Sequence, residues 1–288
     1  MKIIQINTNR SRAAMDLALA TAKEVGAGIL VISEPNRKVV SGRKDWIHSE
    51  DLKTAIKIID TNIAINNWGQ GLGFTYINTC TYTIYSCYCS GNDEIRNLEE
   101  TLDEIAYLIR TRKEEAIIAG DFNAKSPHWG MSTTDQRGEV MEEWIAANDL
   151  SVANQGDQPT FQVQNYGSIL DLTITTEKLL SRIIDWEVLE RESLSDHKYI
   201  YFSIKEDFPL PCPKPDDTGW QVRKLDQAKL HCILDKPQPS LNTEQLAAKF
   251  SEKLTEICNE VMPKRCRSSK RQPMYWWNER IAEYAVTV

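Results

Sequence analysis

The chain has 288 residues, 41% of them hydrophobic and 26% charged, and a formal net charge of −7. That length suits one large domain, or one domain with an appendage, and the composition supports a sizeable core. No run approaches eighteen apolar residues, and Met1-Lys2 leads straight into "IIQI", so a helical membrane span is excluded and a signal peptide is disfavoured.

Taken in chain order, "KIIQI" (2–6) and "ILVIS" (29–33) read as strands around a helix, "RAAMDLALATAKEV" (12–25). Short β-branched and aromatic runs follow at 55–59, 62–66, 73–78 and 82–88. Ile95, Leu98, Leu102, Ile105 and Ile109 then recur at helical spacing, with Asn92 or Asp93 as the expected cap. "AIIAG" (116–120) is a buried strand and 137–148 a helix. Strands at 151–154, 169–175, 183–189 and 198–204 complete the set. Some strands succeed one another through tight turns and others through a helix. The mixture predicts two packed sheets with helices outside, not one doubly wound sheet.

The tail differs in character. "FPLPCPKPDD" (208–217) holds four prolines in ten residues and reads as an extended linker, so we place a domain at 1–205, a Pro-rich linker at 206–220 and a helical segment at 221–288. Within the last, Leu246, Phe250, Leu254, Ile257 and Val261 share one face of a helix over 242–261. Residues 1–204 carry 20 Lys and Arg against 29 Asp and Glu; residues 205–288 carry 14 against 12, with a basic cluster "KRCRSSKR" at 264–271. The seven cysteines are odd in number and contain no Cys-x-x-Cys, which predicts reduced thiols; His231, Cys232, Cys258 and Cys266 match no usual zinc spacing.

Chemistry is sought where polar residues end strands. Asn7 follows the first strand, Glu34 the second, and Asp121 and Asn123 end "AIIAGDFN". Asp171 interrupts the apolar "SILDLT", and "SDHKYI" sets Asp196-His197 just before the last strand. Singly, Asn7 and Glu34 read as turn and strand-end residues. Asp171, flanked by Leu170 and Leu172, needs a partner if buried. Together these types suit phosphodiester hydrolysis: oxygen ligands for a hard cation, a carboxylate to activate water, and fixed donors for the phosphoryl oxygens. "GQGLGF" (69–74) resembles a dinucleotide fingerprint but precedes a strand, so it reads as a hairpin turn. No Gly-x-Ser-x-Gly occurs.

In this order, "QINTNR", "ISEP", "YCSGND", "GDFNAKSPHWG", "SILDLT" and "SDHKYI" resemble the endonuclease/exonuclease/phosphatase superfamily, in the branch of apurinic-like endonucleases of LINE-type (non-LTR) retrotransposons. "GWQVRKLD" (219–226) and "MYWWNERIAE" (274–283) are similar to the segment that leads towards a reverse transcriptase, so the chain reads as a fragment or truncated copy of a longer polyprotein.

The resemblance implies an α/β fold, a four-layer sandwich of two mixed sheets flanked by helices with a C-terminal helical tail. It implies Mg²⁺, with Mn²⁺ as a substitute, held by Glu34 with Asn7 close by. Asp121 would orient the water and Asn123 hold the phosphate, while Tyr88 donates to phosphate or leaving oxygen. Asp171 would support the water, His197 paired with Asp196 would stabilise the transition state, and Ser168 would contact phosphate or buttress Asp171. The implied partners are double-stranded target DNA and, through the polymerase region, element RNA, with no membrane and no small-molecule cofactor. The implied reaction is nicking that leaves a 3′-OH for target-primed reverse transcription, in the nucleus after synthesis in the cytoplasm.

Two departures stand out: Tyr88 is followed by Cys89 and not proline, and Ser33 precedes Glu34 in place of the common Gln. A phosphatase on small or lipid headgroups and an inactive DNA-binding remnant are the alternatives. Base readout is expected from loops 35–52 and 155–167. His128 is expected to lie outside the site, with Trp129 packing its loop.

Overall fold

The computed structural model describes residues 1–205, 225–234 and 255–263. In chain order the elements are β1 (Lys2–Asn7), α1 (Arg12–Glu24), β2 (Ile29–Ser33), α2 (Arg37–Val40), β3 (Ile47–His48), β4 (Thr54–Ile58) and β5 (Asn67–Gln70). Then come β6 (Phe74–Asn78), β7 (Tyr82–Tyr88), α3 (Ile95–Arg112), β8 (Glu115–Asp121), α4 (Gln136–Ala147) and β9 (Leu150–Val152). The hairpin strands β10 (Phe161–Val163) and β11 (Tyr166–Ser168) precede β12 (Asp171–Thr176), α5 (Glu177–Leu180), β13 (Ile183–Leu189) and β14 (Tyr199–Ile204).

Two six-stranded sheets result, ordered β13-β14-β1-β2-β4-β3 and β5-β6-β7-β8-β12-β9. Period-2 alternation sorts β1 between two cores: Ile3 packs between the sheets with Ile84, Ile117 and Phe202, while Ile4 and Ile6 face α1, beside Met15 and Ala18. On the other side, Tyr85, Ile118 and Leu172 turn outward against Leu98, Leu102 and Ile105 of α3 and Trp144 of α4. Helix, sheet, sheet and helix form the expected four layers.

Buried polar groups cross the inter-sheet core. Gln5 Nε2 donates to the carbonyls of Gly120 and Leu172, both at 3.2 Å, and its Oε1 accepts from Thr173 Oγ1. Near the rim Ser33 Oγ donates to Cys87 O at 2.8 Å and Ser86 Oγ to Ile32 O at 3.0 Å. These bonds fix the register of one sheet over the other, because sliding would strand buried donors.

Several local expectations change. Residues 62–66 are a loop, and the edge strand is β5, just after them. Helix α3 starts one turn-residue later than its cap prediction: Glu94 is the N-cap and makes no side-chain cap bond. Short elements such as β3, β10, β11 and α5 carry too few residues to show a period. Cys87 and Cys89 are buried thiols as expected, but exposed Cys80, in the β6–β7 turn, is disulfide-bonded.

The chain divides into two compact units, Met1–Cys212 and Pro213–Val288. In the second, α6 (Gln227–Leu234) and residues 255–261 are helical. The expected linker at 206–220, the basic cluster at 264–271, "MYWWNERIAE" and most of the expected 242–261 helix lie outside the described residues. Among the described residues, no helix is long and apolar enough to cross a membrane.

Candidate active site

Strand direction explains why distant residues meet. β1 runs parallel to β2, and β7 parallel to β8, so their last residues, Asn7, Ser33, Tyr88 and Asp121, reach one rim. β12 and β14 run antiparallel to these neighbours, so their beginnings reach the same rim. Asp171 therefore stands opposite Asp121 in register, and His197 enters two residues before β14. Gly120 makes the approach possible: a Cβ there would lie 2.0 Å from the Cys87 carbonyl oxygen.

The backbone is strained where the site is built. Glu34 (φ 47°) and Asn123 (φ 49°) both adopt left-handed conformations, as do Asn9 and Arg10. Surrounding bonds hold them. The Glu34 carbonyl accepts from Thr8 Oγ1 and from Arg10 N, each at 2.8 Å, and Asn123 N donates to Asp121 Oδ1 at 3.0 Å.

Asn7 spans two carboxylates, its Nδ2 donating to Asp121 Oδ2 at 2.8 Å and to Glu34 Oε2 at 3.3 Å. Its Oδ1 accepts from Asn9 N. Glu34 Oε1 pairs with exposed Arg10 at 2.9 Å. His197 Nδ1 lies 2.8 Å from Asp171 Oδ2, and its Nε2 lies 3.8 Å from Asp121 Oδ2. Phe161 meets the imidazole edge-on at 4.9 Å between ring centroids.

Electrostatics follow from burial. Burial first, then the charge of Asp171, raise the Asp121 pKa to about 7, against His197, Asn7 and the Asn123 amide. Burial alone would lower the His197 imidazole, but the charge and hydrogen bond of Asp171, with Asp121 and Glu34 behind, raise it to about 9. Burial, then the charges of Glu34 and Asp121, hold the Tyr88 hydroxyl well above its usual range, so it stays a donor.

The rim thus gathers Asn7, Glu34, Tyr88, Asp121, Asn123, Asp171 and His197. The expected pairing of His197 with Asp196 is corrected: adjacent residues in an extended segment point apart, and the imidazole bonds Asp171. Asp196 contributes its backbone carbonyl, which accepts from Gln162 N. Ser168 is buried at the end of β11, but its Oγ has no hydrogen-bond partner, so it does not buttress Asp171. That task falls to Thr160, whose Oγ1 accepts from the Leu170 and Asp171 amides, both at 3.1 Å. His128 is exposed in a single turn of 3₁₀ helix (Pro127–Trp129), and Trp129 is buried with Nε1 on Ala124 O, as expected.

Three supporting groups escaped the sequence reading. Ser195 Oγ donates to Asn7 O at 2.8 Å and Ser193 Oγ to His197 O at 2.6 Å, tying the His197 loop to β1. Ser33 links the sheets beneath Glu34, and Asp121 N donates back to its Oγ. Arg137, 8% exposed, donates from Nε to Asn123 O (3.0 Å) and from Nη2 to Phe122 O (3.0 Å) and Cys89 O (3.1 Å), so one guanidinium clamps the Tyr88 and Asn123 loops. Gly138 allows that approach, since a Cβ there would meet Lys125 O at 1.9 Å. An Arg-Gly pair in the first turn of a helix was the only signal.

Asp121, Asp171 and His197 present ligand atoms within 4.8 Å of one another. Both ring nitrogens of His197 already face carboxylates, which suits proton handling better than metal ligation. Glu34 and Asp121, bridged by Asn7, are oxygen donors that fit a hard divalent cation.

Residues 82–201 match the family model described as "Endonuclease-reverse transcriptase". The endonuclease domain of TRAS1, a telomere-specific non-LTR retrotransposon, is 27% identical, covering 72% of this chain and 99% of that one, with a TM-score of 0.63. An AP endonuclease from Archaeoglobus fulgidus (14% identity, 72% and 100% coverage, TM-score 0.57) and the Xenopus laevis APE2 catalytic domain (15%, 71% and 92%, TM-score 0.56) share the fold. No curated protein sequence matches. With the paired sheets and their carboxylate-lined rim, these likenesses make the chain similar to the nucleases of the endonuclease/exonuclease/phosphatase superfamily.

Proposed function

We propose that this chain is a Mg²⁺-dependent DNA endonuclease that nicks one strand of a double-stranded target and leaves a 3′-OH to prime reverse transcription. The observation that carries the reading is the shared rim: one carboxylate poised near neutrality, Asp121, beside a cation held by a second carboxylate, His197 with Asp171. Ionised Asp121 accepts the proton of the attacking water, which Asn7 and the Asn123 amide help to orient through the same carboxylate. The His197 imidazolium and the Tyr88 hydroxyl donate to phosphoryl oxygens as their charge grows, and the Asn123 amide positions the phosphate. Glu34, with Asn7 and Asp121 beside it, would hold Mg²⁺ (or Mn²⁺), which supplies Lewis-acid neutralisation of the phosphate. The site's own residues thereby divide into base, donors and cation holders.

The domain ending near residue 205 would act in the nucleus, with the segment beyond the linker leading towards a polymerase that meets element RNA. The test is end chemistry. Nicked duplex made by the protein is offered to a DNA polymerase with labelled nucleotides; extension from the nick without prior phosphatase treatment supports the reading, and a blocked 3′-phosphate end contradicts it.

A further inference from the structure

The body's charge poses a problem for any DNA partner: residues 1–204 sum to −9. Basic residues are concentrated instead. Residues 37–57 hold six Lys and Arg (37, 38, 43, 44, 53, 57) against three acids (45, 50, 51). This stretch lies at the sandwich edge where β3 and β5 end the two sheets. A hollow of about 470 Å³ there is lined by Arg43, Lys44, Trp46, His48, Trp68 and Gln70, among others.

Its chemistry points to phosphate and sugar. Trp68 is 58% exposed on an edge strand, an unusual place for an indole without a partner. The one acid in the hollow's immediate frame, Asp45, is paired with Arg43 at 2.8 Å and with Lys57 at 2.6 Å. Those pairs hold its carboxyl well below the usual carboxylate range and leave exposed Lys44 in excess. Lys57 also stands over the Trp46 ring at 5.5 Å, stiffening the floor.

A second hollow lies between this one and the catalytic rim. Gln70 ends β5; two residues on, Leu72 and Gly73 line that second hollow together with Lys53 and Tyr88, and with the acids Asp51, Asp93, Glu100 and Glu104. Glu50 N donates to Gly71 O, joining the two walls of this strip. Trp68 lies three strands from β8, which carries Asp121, and the register Trp68–Ile77–Ile84–Ile117 sets it four residues short of Asp121 along the strands. At roughly 4.8 Å per strand and about 3.3 Å per residue the two offsets combine to about 19 Å. At about 3.4 Å per nucleotide that corresponds to about six nucleotides of one DNA strand.

We propose that the β3–β5 edge is a docking surface for the sugar-phosphate backbone of the target duplex, about six nucleotides from the scissile phosphate on the Tyr88 side. Lys44 and Arg43 meet the phosphates, and Trp68 packs a deoxyribose face. This rests on the DNA-nicking reading above and adds where the flank of the duplex lies. None of these residues belongs to the catalytic rim.

The test compares the unchanged protein with a Trp68→Ala, Lys44→Gln double variant, both sites being exposed and tolerant of change. Binding is measured by fluorescence anisotropy in EDTA, so that no strand is cut. Two duplexes are used: one extends at least eight base pairs from the nick on both sides, the other only two on the Tyr88 side. On the long duplex the variant should bind about tenfold more weakly, with a salt slope shallower by about one. On the truncated duplex the two proteins should match, and the variant should nick it at the unchanged rate. Phosphate-ethylation interference on the unchanged protein should show a protected position about six nucleotides out. Equal affinities on the long duplex, or no interference there, overturn the surface while leaving the nicking reading intact. Failure of the unchanged protein to bind or nick either duplex overturns both.

Discussion

His197 stands between two carboxylates, 2.8 Å from Asp171 through Nδ1 and 3.8 Å from Asp121 through Nε2, although the three residues span 77 positions of sequence. Asp171 holds Nδ1, which leaves Nε2 turned towards Asp121. Replacing His197 by Ala should lower the nicking rate by about 10²–10⁴, and Asp171→Asn by a comparable factor. Because the two act as a unit, the double variant should be little worse than either single one. Single-turnover nicking of supercoiled plasmid reads this directly; additive losses would show that the pair is not a unit.

The pH profile follows from the same cluster. Asp121 must be ionised to accept a proton, so activity should rise through about pH 7; His197 must be protonated to donate, so activity should fall through about pH 9. Both limbs belong to the coupled group and not to one residue. Asp171→Asn removes the main cause of the raised imidazole and should move the falling limb to lower pH. For stability the sign is explicit. The His197 pKa is raised from 6.5 to about 9, so its contribution is fully present below 6.5 and is lost as pH rises through 9. A thermal-unfolding series across pH 6–10 checks it, with a shallower fall between pH 7 and 9 in Asp171→Asn.

Arg137 is a positioning residue, clamping the carbonyls of Cys89, Phe122 and Asn123. Arg137→Lys keeps the charge but loses the fork, and should lower kcat by about tenfold or more while KM moves less. Arg137→Ala strands three carbonyls and should also cost about 3 kcal/mol of stability. Equal falls in kcat for both variants, tracking only the fraction folded, would reduce the residue to a structural role.

Glu34 holds its carboxylate in a left-handed backbone conformation next to Asn7 and Arg10. Glu34→Gln should raise the concentration of divalent cation needed for half-maximal nicking by about tenfold or more, and weaken Mn²⁺ binding measured by calorimetry without DNA. Unchanged Mn²⁺ binding would move the cation elsewhere in the rim.

The fold was largely legible because it depends on long periodic segments. The strand runs at 2–6, 29–33 and 82–88 and the stripe from Ile95 to Ile109 carry enough apolar positions to declare their period and face. β3 and α5, two and four residues long, owe their existence to neighbours that no local pattern encodes. Likewise the rim was read from residue types at strand ends, whereas its pairings depend on strand direction. Sequence adjacency suggested Asp196 for His197; the antiparallel entry of β12 supplied Asp171 instead. Arg137, Thr160 and Ser33 act through backbone carbonyls, amides or a single hydroxyl, and such roles leave no residue-type signature.

The most direct measurement is a plasmid nicking assay with Mg²⁺ on four proteins: unchanged, Asp121→Asn, His197→Ala and His128→Ala. Nicking by the unchanged protein and by His128→Ala at similar rates, with Asp121→Asn and His197→Ala reduced at least about a hundredfold, is the predicted result. Full nicking by Asp121→Asn or His197→Ala would contradict the account, as would a loss in His128→Ala equal to theirs.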